Sequence, residues 1–267
     1  MTAKVGFIGT GNMGAAIIKG LASFGNDLEL HGTDLHREGL AKLAEETGLT
    51  PHDDAPSLAA ACDYIVLAVK PQHAAHALGA ITRGLSAEKC LLSIAAGIPT
   101  ARLSEMTDGL CPVVRVMPST PALVNAGVFA VCLDDPALDE ERKAFCATLF
   151  EPCGQVHVLP ENLFDAFTGV IGSGPAYVVY FMEAMVESAV TLGLPRPMAT
   201  KMVEGLFSGT AKMVEESGLH LAQLREMVTS PGGTTIRALN HFDRLAVRAA
   251  LIDGVRESYL RSIELGK

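Results

Sequence analysis

Lys4-Val5-Gly6-Phe7-Ile8 runs straight into Gly9-Thr10-Gly11-Asn12-Met13-Gly14, and Ala15-Ala16-Ile17-Ile18-Lys19-Gly20-Leu21 follows at once. The first run is short and apolar, as a buried strand is. The second is a complete G-x-G-x-x-G, and the third has helix-forming composition. Strand, glycine loop, helix is the setting in which this pattern binds a dinucleotide. Gly9 serves the tight turn, Gly11 lets the backbone approach a pyrophosphate, and Gly14 allows close helix–strand packing. Asn12 and Met13 complete the expected cofactor loop.

Strands and helices alternate onward to about residue 159. Leu28–Thr33 reads as a second strand and Leu40–Thr47 as a helix that stops at Gly48. Tyr64–Val69, Leu91–Ala95 and Val113–Met117 read as a third, fourth and fifth strand, and Gly127–Leu133 and Gln155–Leu159 add two more. Continuous apolar strands separated by helices predict a mostly parallel sheet covered on both faces. Ligands of such sheets bind beyond the carboxyl ends of the strands. Lys70-Pro71-Gln72, Ala95-Ala96-Gly97 and Met117-Pro118-Ser119 occupy those ends.

After Pro160 the strand signal stops. Pro175–Leu192, Met198–Glu216, Leu221–Met227, Thr234–Phe242 and Arg244–Ile263 read as helices. Phe181, Met182, Met185, Ala189 and Val190 are apolar at helical spacing and need a partner surface. A helical region this small and this apolar is expected to share its core with a second copy, as an intertwined dimer. The expected domains are therefore 1–159, dinucleotide-binding, and 160–267, dimerisation and substrate.

Within the helical part lies Val228-Thr229-Ser230-Pro231-Gly232-Gly233-Thr234-Thr235-Ile236. Two glycines permit a sharp turn, and two threonines follow where a helix begins. Free N–H groups and the positive end of a helix at such a place suit a small carboxylate. An ordinary turn with a threonine cap has the same pattern.

The composition fits an enzyme domain. Hydrophobic residues are 49% and charged residues 19% of the 267, so a sizeable core is expected. A net charge of −9 points away from nucleic acid. No apolar run of membrane-spanning length and no secretory leader is expected, and cysteines in apolar runs without C-x-x-C spacing suggest reduced thiols in a cytoplasmic protein. No metal cluster, nucleophile elbow or paired carboxylate is apparent. The eight histidines show no catalytic companions.

The residues taken together resemble the pyrroline-5-carboxylate reductase family, nearly end to end. The resemblance is carried by Gly6–Gly14, Leu67–Gln72, Ser93–Gly97, Arg115–Pro118, Gly172-Ser173-Gly174-Pro175-Ala176-Tyr177 and, above all, Val228–Ile236. It implies an α/β fold, with an N-terminal Rossmann-type parallel sheet followed by an all-helical dimerisation domain. It also implies a site between the two that the partner subunit completes. The implied activity is reduction of 1-pyrroline-5-carboxylate to L-proline with NADPH or NADH. Two residues depart from the family pattern: Ser119 stands where Asn is usual, and Ile171 where Ser is usual.

On this resemblance Thr235 is expected to reach the ring nitrogen, and Ser230 to add a contact to the carboxylate. Gly232, Gly233 and Thr234 form the substrate turn, its carboxylate held on the N–H groups of Gly233, Thr234 and Thr235. Lys70 would neutralise a cofactor phosphate or bond a ribose, though a solvated lysine fits as well. Pro71 shapes the adenosine side, and Ala95 and Gly97 offer small size near the nicotinamide, unless packing alone explains them. Asp34 follows Gly14 by 20 residues, the spacing at which an acid bonds the ribose hydroxyls of NAD and repels the NADP phosphate. That tilts the expectation toward NADH, with Arg37 within reach of a 2′-phosphate and helix capping as the alternative role of Asp34. The alternatives for the whole chain are a related imine or hydroxyacid dehydrogenase, and a non-catalytic dinucleotide-sensing protein.

Overall fold

In a computed structural model, residues 2–24 and 28–266 are described. Met1 and Lys267, the outer limits of the expected domains, lie outside them. The chain order is β1 (Ala3–Ile8), α1 (Asn12–Ser23), β2 (Leu28–Thr33), α2 (Arg37–Thr47), β3 (Thr50–Pro51), α3 (Ala55–Ala61), β4 (Tyr64–Leu67) and α4 (Ala74–Ile81). There follow β5 (Cys90–Ser93), α5 (Thr100–Met106), β6 (Val113–Pro118), β7 (Gly127–Cys132), α6 (Glu140–Thr148), β8 (Gly154–Val158) and α7 (Phe164–Phe167). The rest is helical: α8 (Gly174–Thr191), α9 (Arg196–Ser217), α10 (Leu221–Met227), α11 (Thr234–Arg244) and α12 (Val247–Leu265).

The sheet order is β3-β2-β1-β4-β5-β6-β7-β8. Every pair is parallel except β6–β7. The apolar runs are continuous because both faces are buried. Val5, Phe7, Val66 and Leu92 enter one core with Ile17 and Phe129. Ile8, Ile65, Leu67 and Leu91 enter the other with Leu58 and Leu78. Each such side chain contributes about 1.5–3 kcal/mol when fully buried. β3 escapes sequence reading because two residues, Thr50-Pro51, carry no periodicity. The order reverses between β1 and β4, and this switch point opens the crevice where such folds hold ligands.

Compactness divides the chain into one unit of residues to Ser173 plus Ser258 onward, and another of Gly174–Glu257. The expected boundary at 159/160 marks the end of the sheet, but the next residues remain bound to it. Glu161 accepts from the Thr100 N–H at 2.7 Å and pairs with the buried Arg115 at 3.2 Å. The Arg115 guanidinium in turn lies 4.8 Å from the ring centre of Phe164. The end of α12 returns to the same unit, where the Ser262 hydroxyl donates to Asp165 at 2.7 Å.

The second unit exposes much of its apolar surface. α8 has no fully buried residue, and Val178, Val179 and Tyr180 are exposed, as are Met198, Met202 and Leu206 on α9. The helical run Glu161–Thr191 is long and apolar enough, by length and composition, to cross a membrane. That corrects the expectation that no run has this character. Glu161, Asp165, Glu183 and Glu187 and the Gly172-Ser173-Gly174-Pro175 break mask the run in a residue-by-residue reading.

Candidate functional site

The glycine loop leaves β1 at the switch point. Gly9 has φ +98°, a left-handed conformation that side chains avoid, and its N–H donates to Thr33 O at 2.9 Å. A Cβ on Gly14 would lie 2.5 Å from Gly9 O, so helix and loop close on each other only with glycine there. A Cβ on Gly11 would meet nothing within 4 Å. Gly11 is the N-cap of α1, and no side chain caps the helix. The first-turn N–H groups, those of Asn12 and Met13 among them, thus have no side-chain acceptor from an N-cap and lie at the positive end of the helix.

Beside the loop is a cavity of about 390 Å³ lined by Gly9, Asp34, Leu35, Arg37, Asp53, Asp54, Val69, His73, His76 and neighbouring residues. Gly9, Asp34 and Arg37 belong to motifs legible in the sequence; Asp53, Asp54, His73 and His76 carry no motif and meet only through the fold. Arg37 donates to the carbonyls of His52, at 3.0 Å, and Asp53. Burial works to raise the pKa of Asp34, but hydrogen bonds from His36 and Thr10 and the charge of His36 outweigh it, so the carboxyl is held below its ordinary value. His36, not Asp34, caps α2, its ring accepting from the Gly39 N–H at 3.0 Å. Asp34 therefore lacks the capping role that was the alternative to cofactor contact.

The other strand ends are arranged less uniformly. Lys70 is exposed, and its carbonyl accepts from the His73 N–H at 2.8 Å, fixing the Pro71–His73 turn that brings His73 to the cavity. Ala95 is buried and its N–H donates to Ser93 Oγ at 3.3 Å. Gly97 has φ +76°, and a Cβ there would meet Leu265 O at 3.6 Å. Ser119, at the position where Asn is usual, is buried and joins β6 to β7: its hydroxyl accepts from the Val128 N–H at 2.8 Å and its own N–H donates to Val128 O at 3.1 Å. Ile171 is half-buried and packs against the cluster of Ala130, Cys132, Phe164 and Phe167.

In the helical unit, Ser230-Pro231-Gly232-Gly233 turns into α11, with Gly232 at φ +69°. Gly233 is the N-cap of α11, and no side chain caps it. The Gly233 N–H donates to Ser230 O at 3.1 Å, so it closes the turn and is withdrawn from the carboxylate. That corrects its expected donor role; Thr234 and Thr235 are first-turn residues of α11. Thr235 and Ile236 are half-buried and Ser230 is exposed. Ile236 lines a second cavity, of about 650 Å³, with Phe181, Arg225, Thr229, Asn240 and Arg248.

All six cysteines are buried and free, and burial pushes the Cys62 thiol up to about 12 and those of Cys111, Cys132 and Cys153 to about 11. Thiols held protonated in this way are poor nucleophiles. Among the described residues no group of three or more His, Cys, Asp or Glu is placed to hold a metal ion.

Residues 161–265 match the family model described as pyrroline-5-carboxylate reductase dimerisation. Residues 4–97 match that of coenzyme F420-dependent NADP oxidoreductases. The chain is 37% identical to pyrroline-5-carboxylate reductase of Escherichia coli (strain K12), covering 100% of both chains. It is 36% identical to that of Methanosarcina acetivorans, covering 99% of this chain and 98% of the other. Among solved structures it is similar to a pyrroline-5-carboxylate reductase from Coxiella burnetii, with a TM-score of 0.93, 31% identity and 100% of both chains covered. It is also similar to the Plasmodium falciparum pyrroline carboxylate reductase with NADP bound, with a TM-score of 0.87, 31% identity, and 99% and 98% covered.

Proposed function

The chain belongs to the pyrroline-5-carboxylate reductase family, and on that premise we propose how it reduces 1-pyrroline-5-carboxylate to L-proline with NADH or NADPH in proline biosynthesis. The observation that carries the reading is the pair of uncapped, glycine-led helix starts at Gly11 and Gly233. One suits a pyrophosphate and the other a small carboxylate.

The residues present fit a dinucleotide. Gly11 leaves room for the pyrophosphate, the N–H groups of Asn12 and Met13 receive it, and the cavity from Gly9 to His76 takes the adenosine side. Lys70 adds positive charge toward the cofactor, Pro71 shapes its turn, and Ala95 and Gly97 keep the neighbouring strand end small. The acid pair Asp53 and Asp54 in the cavity wall tilts it toward NADH, since a 2′-phosphate would meet like charge.

When bound, the dihydronicotinamide supplies a hydride to the imine carbon. The protein holds the substrate and handles the proton. The N–H groups of Thr234 and Thr235, at the positive end of α11, fix the carboxylate and hence the face of the ring presented. The Thr235 hydroxyl holds the proton at the ring nitrogen, and Ser230 Oγ adds a contact to the carboxylate. Orientation of this kind supplies about 7–11 kcal/mol in the best cases.

The expected division of labour follows the two halves: residues 1–159 bind the dinucleotide, and 160–267 dimerise and hold the substrate. Homo-oligomerisation is supported by the dimerisation model that matches residues 161–265. The exposed apolar residues of α8 and α9 are the surface proposed to form a homodimer, or a higher oligomer of dimers, in the cytoplasm. A spectrophotometric assay tests the activity. Oxidation of NADH or NADPH that depends on 1-pyrroline-5-carboxylate and yields proline is expected; no turnover with either cofactor would refute the reading.

A further inference from the structure

The carboxylate of Asp34 is already occupied. Its Oδ2 accepts from the Thr10 N–H at 2.6 Å and from the Thr10 hydroxyl at 3.2 Å. Its Oδ1 accepts from the His36 N–H at 2.9 Å. A carboxylate offers about four acceptor positions, two on each oxygen. Oδ2 is therefore full, and Oδ1 has one position left. An acid that reads both ribose hydroxyls must offer a free position on each oxygen, and Asp34 does not.

The same bonds have a clear effect elsewhere. Thr10 stands between Gly9 and Gly11, the two glycines that shape the loop. Its N–H is turned inward, to Asp34, and so leaves the pyrophosphate to the donors that follow. Gly9 is tied on the same side, by its N–H to Thr33 O at 2.9 Å. The β2 end thus grips two successive loop residues, one through the backbone of Thr33 and one through the side chain of Asp34. Charged acceptors make the stronger hydrogen bonds, and this one is partly shielded from water.

We infer that Asp34 is a positioning residue that holds the glycine loop in its binding shape through Thr10, and is not the group that chooses between NADH and NADPH. The inference rests on the dinucleotide reading of the loop. It moves the choice of cofactor to the remaining groups of the cavity wall: Asp53, Asp54 and Arg37, whose guanidinium is held on the 52–53 backbone. A loop-holding residue and a ribose-reading residue differ in the sign of one effect. Loss of the first weakens both cofactors. Loss of the second weakens NADH and strengthens NADPH, because a repulsive charge has gone.

The test is calorimetric titration of the full chain and of Asp34→Ala with NADH and with NADPH. We expect both affinities to fall at least tenfold, with their ratio within threefold of wild type. Exchange of the Thr10 amide proton should accelerate at least tenfold. Tighter NADPH binding beside weaker NADH binding would overturn the inference, as would unchanged affinity for both. Should Asp34→Ala fail to fold, Asp34→Asn keeps the shape and one acceptor, and the same two signs decide. Wild-type protein that binds neither cofactor would instead refute the dinucleotide reading itself.

Discussion

The loop at Gly9–Gly14 and the turn at Ser230–Thr235 are alike in local chemistry and opposite in surroundings. Both are glycine-rich, and both lead into a helix whose N-cap is glycine and whose first turn lacks a side-chain cap. The first is set in the sheet: α1 buries Gly14, Ala16, Ile17, Ile18 and Leu21, and Asp34 and Thr33 grip the loop from outside. The second leads into α11, which has no fully buried residue. A helix start provides donors for an anion in either place. What differs is the support: the sheet holds one loop through Thr33 and Asp34, whereas the other turn is closed by Gly233 N–H to Ser230 O.

The sharpest way to break this comparison is Gly11→Val. Gly11 has φ −64° and ψ −172°, which valine adopts, and open space around its Cβ. The fold should survive with little change in Tm, while calorimetry should show at least about a hundredfold loss of affinity for NADH and NADPH, because the side chain fills the pyrophosphate's path. Unchanged binding would mean that the loop is structural only.

Thr235→Val carries the question to the other helix start. Volume and fold are kept and the hydroxyl is lost. If that hydroxyl holds the proton at the ring nitrogen, kcat should fall about a hundredfold, at the low end for proton-transfer groups. Cofactor affinity should not move. Turnover within twofold of wild type would remove Thr235 from the chemistry.

A third expectation concerns what completes the helical unit. Val179 is 54% exposed in the single chain. If α8 packs against a second copy, Val179→Glu places a charge in an apolar interface, and light scattering at micromolar concentration should show mass moving from dimer to monomer. A mass that stays dimeric would place the interface elsewhere.

The smallest effect is expected in the sheet unit, from acid. The ring of His31 is buried, and its Nδ1 lies 2.9 Å from His52 Nε2; among the described residues its Nε2 has no hydrogen-bond partner, with a Glu29 carboxylate oxygen 3.9 Å away. Burial, then the charge of His52, lowers the pKa of His31, with Lys4 adding to the shift and Glu29 and Asp63 opposing it. A lowered folded pKa means that the unfolded chain binds the proton more readily. The stability is then fully present above pH 6.5 and is lost as pH falls below it, through the folded pKa. The loss shows as a fall in Tm. His31→Leu should flatten the Tm profile between pH 7 and 5; an unaltered slope would assign the acid sensitivity to other groups.

Much of this was legible in the residues themselves. Val5-Gly6-Phe7-Ile8 and Ile65-Val66-Leu67 announce strands buried on both faces, because period-two burial on two cores leaves no polar position. Gly9-Thr10-Gly11 announces the loop, because backbone geometry at position 9 and anion access at position 11 call for glycine. Arg196–Ser217 was found nearly whole, and its end at Gly218, in the left-handed conformation at φ +62°, is a local property. The family follows from motifs of the same local kind.

Tertiary structure alone decided the rest. Asp34 sits at the spacing of a ribose-binding acid, but only the approach of Thr10 and His36 shows that its oxygens are already engaged. Asp53, Asp54, His73 and His76 meet in one cavity because the sheet sets the strands in the order β3-β2-β1-β4, a contact between segments that no local pattern encodes. The compact unit runs past the end of the sheet to Ser173 because Glu161 finds Thr100 and Arg115, residues far away in the chain. Periodicity and turn chemistry are local and can be read along a sequence. The partners of a carboxylate depend on which distant segments the core brings within 3 Å or so of it, and the core is formed by the fold.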